Sequence, residues 1–228
     1  MKQATFVMLL LVGINAAAFS LQEAWLSTGF EFGNSFENSP DEGSVYTGAP
    51  GFNLNLYGFQ DRKNIGAFAH YSFLFPVISS RNGDLEDYDF QFQLILGPGF
   101  RFHITEDLKL RCGIGFDFMY IYAIYNQKDA TGNTIDFLRV ASHFGIGGDI
   151  GIKYDITDSF YINGGITLSY TVKKYMYVYS WQETSNDERT QTRIEYNNIT
   201  GYSMFDIKPY LGIGFNSYQE KAVWGKPK

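Results

Sequence analysis

Cysteine is almost absent. Only Cys112 occurs in 228 residues, so no internal disulfide can staple the fold, even in an oxidising compartment. There are three histidines, and the chain carries no metal-ligand spacing, no glycine-rich phosphate cradle and no Ser/His/Asp grouping. Neither an enzyme nor a bound cofactor or metal is expected. Basic tracts are also missing. The formal net charge is -6, and loss of Lys2 with the leader described below takes it to -7, which argues against nucleic acid as a partner. Beyond the first residues no apolar run approaches the roughly 20 positions of a spanning helix, which excludes a helical membrane protein.

The chain opens MKQATFVMLLLVGINAAAFS. Lys2 is a short positive start, residues 4–18 are apolar, and Ala16, Ala17 and Ala18 supply a small-residue cleavage site, the pattern of an export signal. No cysteine stands there to take a lipid anchor. We read 1–20 as a signal peptide, 21–215 as the folded unit and 216–228 as a polar C-terminal tail.

Sheet is what remains in abundance. Aromatics make up 18% of the chain and glycine occurs 24 times, and the dominant pattern is strict alternation. In 89–102, DFQFQLILGPGFRF, Phe90, Phe92, Leu94, Leu96, Pro98, Phe100 and Phe102 share one face, opposite Gln91, Gln93, Ile95, Gly97, Gly99 and Arg101. Segments 108–122, 138–154, 160–173 and 205–215 alternate in the same way, and weaker versions lie at 25–33, 50–59 and 64–75. In 160–173 the alternation puts Val172 outward and Lys173 inward. Several segments reach the about 9–11 residues that cross a bilayer at a tilt. An open sheet in lipid would leave its edge amides unpaired, so these strands must close into a ring, and single-chain bacterial rings have even numbers. Eight antiparallel strands are expected, in an all-β, up-and-down barrel.

Connections alternate in length too. They are short at 60–63, 103–106 and 155–158, and long at 34–48, 76–88, 126–136 and 180–197. Short turns face the periplasm and long loops face outside in such barrels. The four long loops together carry a charge of -8, Glu37 included, so the outer surface is expected to be acidic. GFRFHITEDLKLRCGIGF from Gly99 recurs loosely as GIKYDITDSFYINGGITL from Gly151, marking two equivalent hairpins with an Ile-Thr-acid turn.

These alternating segments, with the final strand KPYLGIGF ending at Phe215, resemble the small eight-stranded bacterial outer-membrane β-barrels typified by OmpW, OmpX and the OmpA membrane domain. The resemblance covers the mature chain and rests on pattern. It implies residence in the outer membrane, lipid as the surrounding partner and insertion by the barrel-assembly machinery, with Phe215 as the internal counterpart of the terminal aromatic that machinery reads. Its OmpW branch implies passage of small apolar solutes.

The inward faces carry the candidate functional residues. Arg101, Lys109, Arg111 and Lys153 lie near the periplasmic turns, while Glu31, Asp117, Asp149, Asp206 and Lys208 lie in the same lining. Eight strands leave room for their own side chains or one small ligand. The charges therefore read either as a salt-bridged plug or as a gated solute path. Tyr57, Phe68, Met119 and Ile121 are predicted inward near or above mid-height and form the candidate pocket of the second reading. His70 and His143 also point inward but about 15 Å apart along the axis, too far to act together. The alternating glycines make room in a narrow lumen. Cys112 faces lipid, and Tyr120, Tyr122, Tyr125, Tyr175, Tyr177 and Tyr179 form an outer aromatic girdle. A structural or surface-interaction barrel and a narrow transporter both remain open, with an external ligand or host partner reached through the long loops and a monomer as the expected state.

Overall fold

In the computed structural model the described residues are 23–39, 43–60, 64–75, 78–79, 88–128, 134–183, 189–196 and 203–218. The expected signal at 1–20 and residues 219–228 of the expected tail lie outside them. Among these described residues there are ten strands: β1 (Glu23–Ser39), β2 (Gly43–Phe59), β3 (Ile65–Leu74), β4 (Ile78–Ser79), β5 (Tyr88–His103), β6 (Leu108–Lys128), β7 (Thr134–Asp155), β8 (Phe160–Glu183), β9 (Arg189–Tyr196) and β10 (Ser203–Tyr218). Eight of them form the ring. Each pairs antiparallel with its neighbour in the order β1, β2, β3, β5, β6, β7, β8, β10, and β10 returns to β1. Two-residue β4 pairs with β2, and β9 pairs only with the outer end of β8.

The stagger of this ring fixes its shape. Opposed partners followed from Ser27 through Asn55, His70, Ile95, Asp117, Gly145, Thr171 and Met204 return to β1 at Glu37, ten residues along. Eight strands with that shear tilt by about 41° and run on a cylinder of radius about 8 Å. One residue then climbs the axis by about 2.5 Å, and one strand-to-strand step climbs about 3 Å.

Alternation decides what each face meets. Phe30, Phe52, Phe116, Ile146, Ile150, Ile166 and Leu211 are exposed on the outside, whereas Gln93, Asp117 and Asp149 are buried inside. This apolar belt far exceeds the few hundred Å² of exposed apolar patch usual for a soluble monomer, and it belongs in hydrocarbon. Aromatic pairs directly opposed across strands lace it together: Phe30 with Phe52 at 5.0 Å, Phe73 with Phe92 at 5.2 Å and Phe118 with Phe144 at 5.2 Å between ring centroids. Cys112 sits half-buried on the same face as a free thiol.

The repeated hairpins take the same turn. In 104–107 the Thr105 hydroxyl oxygen accepts the Leu108 N–H at 3.0 Å, and in 156–159 Thr157 accepts the Phe160 N–H at 3.0 Å. Both turns close with paired bonds to the carbonyl oxygens of Leu108 and Phe160.

Two expectations need correction. Three of the connections expected as long loops, 34–48, 126–136 and 180–197, are largely strand among the described residues: β1 and β2 stay paired from Glu23↔Phe59 to Ser39↔Gly43, and β6 to β9 continue the sheet outward. Backbone pairing above the membrane needs no apolar alternation, so the sequence pattern stops before the sheet does. At 24 residues, β8 spans about 60 Å of axis, more than twice the roughly 25 Å apolar band of such barrels. The second correction is a β-bulge. Register shifts at Phe144/Gly145, so Val172 is the extra residue. Val172 and Lys173 are both exposed as a result and Lys174 is buried, which reverses the expected inward placement of Lys173. Lys173 instead lies outside, 5.0 Å above the Tyr175 ring, and Tyr120, Tyr122 and Tyr179 of the expected girdle are half-buried. The side chains of Tyr125 and Tyr177 lie outside the described set.

Candidate functional site

The lumen is filled in layers. At the periplasmic end Trp25, Tyr57, Phe59, Phe68, Ile95 and Tyr161 form one buried cluster, into which the cations insert. Arg101 lies 4.6 Å from the Phe59 ring centroid and pairs with Glu23, whose other oxygen accepts the Trp25 indole N–H at 2.7 Å. Lys153 lies 4.7 Å from Trp25 and 4.5 Å from Tyr161. Lys109 and Lys153 both pair with Asp155, which also accepts the Asn216 amide at 2.9 Å. Cations held between ring faces and carboxylates are desolvated and compensated together.

Above this lies a second group. The Asp149 carboxylate accepts the Tyr57 and Tyr210 hydroxyls, each at 2.5 Å, and stands 3.7 Å from Arg111 Nε. Arg111 donates through Nη2 to Tyr210 at 2.8 Å and packs 5.0 Å over the Tyr57 ring. Glycines admit these side chains. A Cβ at Gly151 would stand 2.6 Å from Tyr210 Oη and 3.3 Å from Arg111 Nε, and one at Gly147 would stand 2.6 Å from Ile95.

The next layer centres on Lys208, which donates to Gln93 Oε1 at 2.6 Å. Gln93 passes the chain on to Asp117 at 2.8 Å and Ser169 at 2.9 Å, and Ser169 to Asp206 at 2.9 Å. Glu31 accepts from Ser72 and lies 3.7 Å from His70, whose Nδ1 meets Asn55 at 2.6 Å. Uppermost, Lys174 pairs with Glu37 at 2.7 Å, near the buried pair Met119 and Met204 with Ile121 packed against it.

This closed ring with its apolar outer belt is similar to a major outer membrane protein from Thermus thermophilus, with a TM-score of 0.53 at 11% identity, over 85% of this chain and 99% of that one. It is also similar to the outer membrane protein OprG from Pseudomonas aeruginosa, with a TM-score of 0.50 at 10% identity, over 88% and 98%. Its fold is that of the small outer-membrane β-barrels. No protein-family model and no curated protein matches the sequence.

All nine charged residues singled out from the sequence line the barrel lumen, buried. They fall into three layers. Arg101, Lys109 and Lys153 form the periplasmic layer, Arg111 and Asp149 the middle one, and Glu31, Asp117, Asp206 and Lys208 the one above. The four residues of the expected pocket do not converge either: Tyr57 and Phe68 belong to the periplasmic cluster, about 16–19 Å below Met119 along the axis. The stagger of the ring sets these heights, and alternation within one strand does not report it. His70 and His143 are separated by about 14 Å on the same geometry.

Sequence reasoning missed three anions that matter. Glu23 and Asp155, at strand ends, hold the periplasmic cations, and Glu37, read as a surface-loop acid, turns inward to Lys174. Among the described residues no three of His, Cys, Asp and Glu converge on a metal.

Proposed function

We propose that the protein is a non-catalytic, side-chain-plugged barrel, exported on residues 1–20 as a cleaved signal, that serves as a membrane scaffold for an outer surface of extended strands. The observation that carries this reading is the Arg111–Asp149–Tyr57–Tyr210 group, in which four large side chains from four different strands bond across a lumen only about 8 Å in backbone radius. On this reading the group blocks a continuous water path. The overrun of β6 to β8 beyond the apolar band, with β9 added to it, supplies a surface for an external ligand or host partner. Lipid surrounds the belt, and the assembly machinery acts on the last strand.

Planar-bilayer recordings of the refolded chain should show no sustained stepwise conductance, and vesicles carrying it should take up small solutes no faster than empty ones. Discrete channel events, or uptake of an apolar solute, would overturn the plug in favour of a narrow transporter.

A further inference from the structure

The plug does not use the layer beneath the outer mouth, where the chemistry changes. Of the three methionines beyond the signal, Met119, Met176 and Met204, two lie here in one buried cluster, 0% and 1% exposed. His143, 1% exposed, is the directly opposed partner of Met119 on the inward face of β7. By the stagger of the ring the three Cα positions fall within about 4 Å of one another in height. We propose that Met119, Met204 and His143 form a binding site for a soft monovalent cation of the Cu(I) type.

The donor set selects the ion. Thioethers are soft, uncharged donors that favour Cu(I) over Zn²⁺, Ca²⁺ or Mg²⁺, and imidazole suits copper as well. Two sulfurs and one nitrogen make a three-coordinate site without any carboxylate. The surroundings suit a cation. Directly below, the carboxyls of Glu31, Asp117 and Asp206 are buried in one layer with the ammonium of Lys208. Lys174, the register partner of His143, is neutralised by Glu37 at 2.7 Å. At the same height the Gln91 Nε2 and Thr171 Oγ1 atoms are buried without a hydrogen-bond partner among the described residues, polar groups that a water accompanying the ion would satisfy.

Cys112 is the competing soft ligand, and it sits outside the ring, about 20 Å lower. The test therefore separates the two. Ag(I), as a redox-inert probe, and Cu(I), under anaerobic competition with a bathocuproine chelator, are titrated into the refolded full chain in detergent. The expected result is one ion per chain. Met119→Leu and Met204→Leu should each weaken it by at least the about 10- to 100-fold that loss of a mere outer-shell contact costs a metal site, the double variant should abolish it, and Cys112→Ser should retain it. Absence of binding, or binding lost with Cys112→Ser and kept in the double variant, overturns the site. Should the leucine variants fail to fold, X-ray absorption on the Cu(I)-loaded wild type decides: two sulfurs and one nitrogen support it, and any other ligand set refutes it.

Discussion

Replacing Arg111 by Met should destabilise the folded barrel by about 3–5 kcal/mol, more than replacing Arg111 and Asp149 together. Arg111 is fully buried, with Asp149 at 3.7 Å and Tyr210 at 2.8 Å. Its removal strands a carboxylate that keeps its desolvation cost, and the hydroxyls of Tyr57 and Tyr210 compensate only part of the missing charge. In Arg111→Met/Asp149→Asn no ion is left to strand, and the amide oxygen still accepts one of the two hydroxyls. Urea titration of the refolded protein in lipid vesicles, read by tryptophan fluorescence, measures the four corners of the cycle. Additive single effects, with no recovery in the double variant, would show that the pair does not act as a unit and would remove the energetic basis of the plug.

Phe116→Arg should cost about 2–4 kcal/mol in the same titration. Phe116 is exposed on the outer face near the middle of the belt, next to Asp117, which is fully buried in the lumen. A charge moved by one position thus passes from a bonded interior to bare hydrocarbon. The native chain respects this gradient. Its exposed Lys173 stands high on β8, against Tyr175, where a lipid-facing cation costs only about 0–1 kcal/mol. A Phe116→Arg barrel as stable as the wild type would mean that the belt does not contact lipid at that height.

What was legible in the sequence, and what was not, divides along a physical line. Facing was legible: Phe92, Phe116 and Ile150 outside, Gln93, Asp117 and Asp149 inside, because a slip by one residue would put every charge in lipid. Eight ring strands and the twin Ile-Thr turns followed from the same local signals. Partnership was not legible. Arg101 meets Glu23, 78 positions away, because the stagger around the whole ring brings their strands to one height, and no local pattern encodes stagger. The bulge at Val172 was invisible for a different reason: Val172, Lys173 and Lys174 read equally well in either phase, and only pairing with β7 reveals the extra residue. The outermost residues of β6 to β8 and all of β9 were read as loops because, in water on both faces, a strand has no apolar side to declare it.

The closing seam carries one more consequence, for the order of events in biogenesis. Glu23 of β1 opposes Tyr218 of β10, so the bonds that close the ring join its first strand to its last. Every other ladder can form between neighbours in sequence, but this one carries nearly the greatest sequence separation the chain allows, and contacts of that kind slow folding. Until it zips, both terminal strands present unpaired amides that hydrocarbon does not tolerate. Entry into the bilayer and completion of the seam are therefore a single event, which cannot begin in earnest before the final strand has been synthesised and delivered.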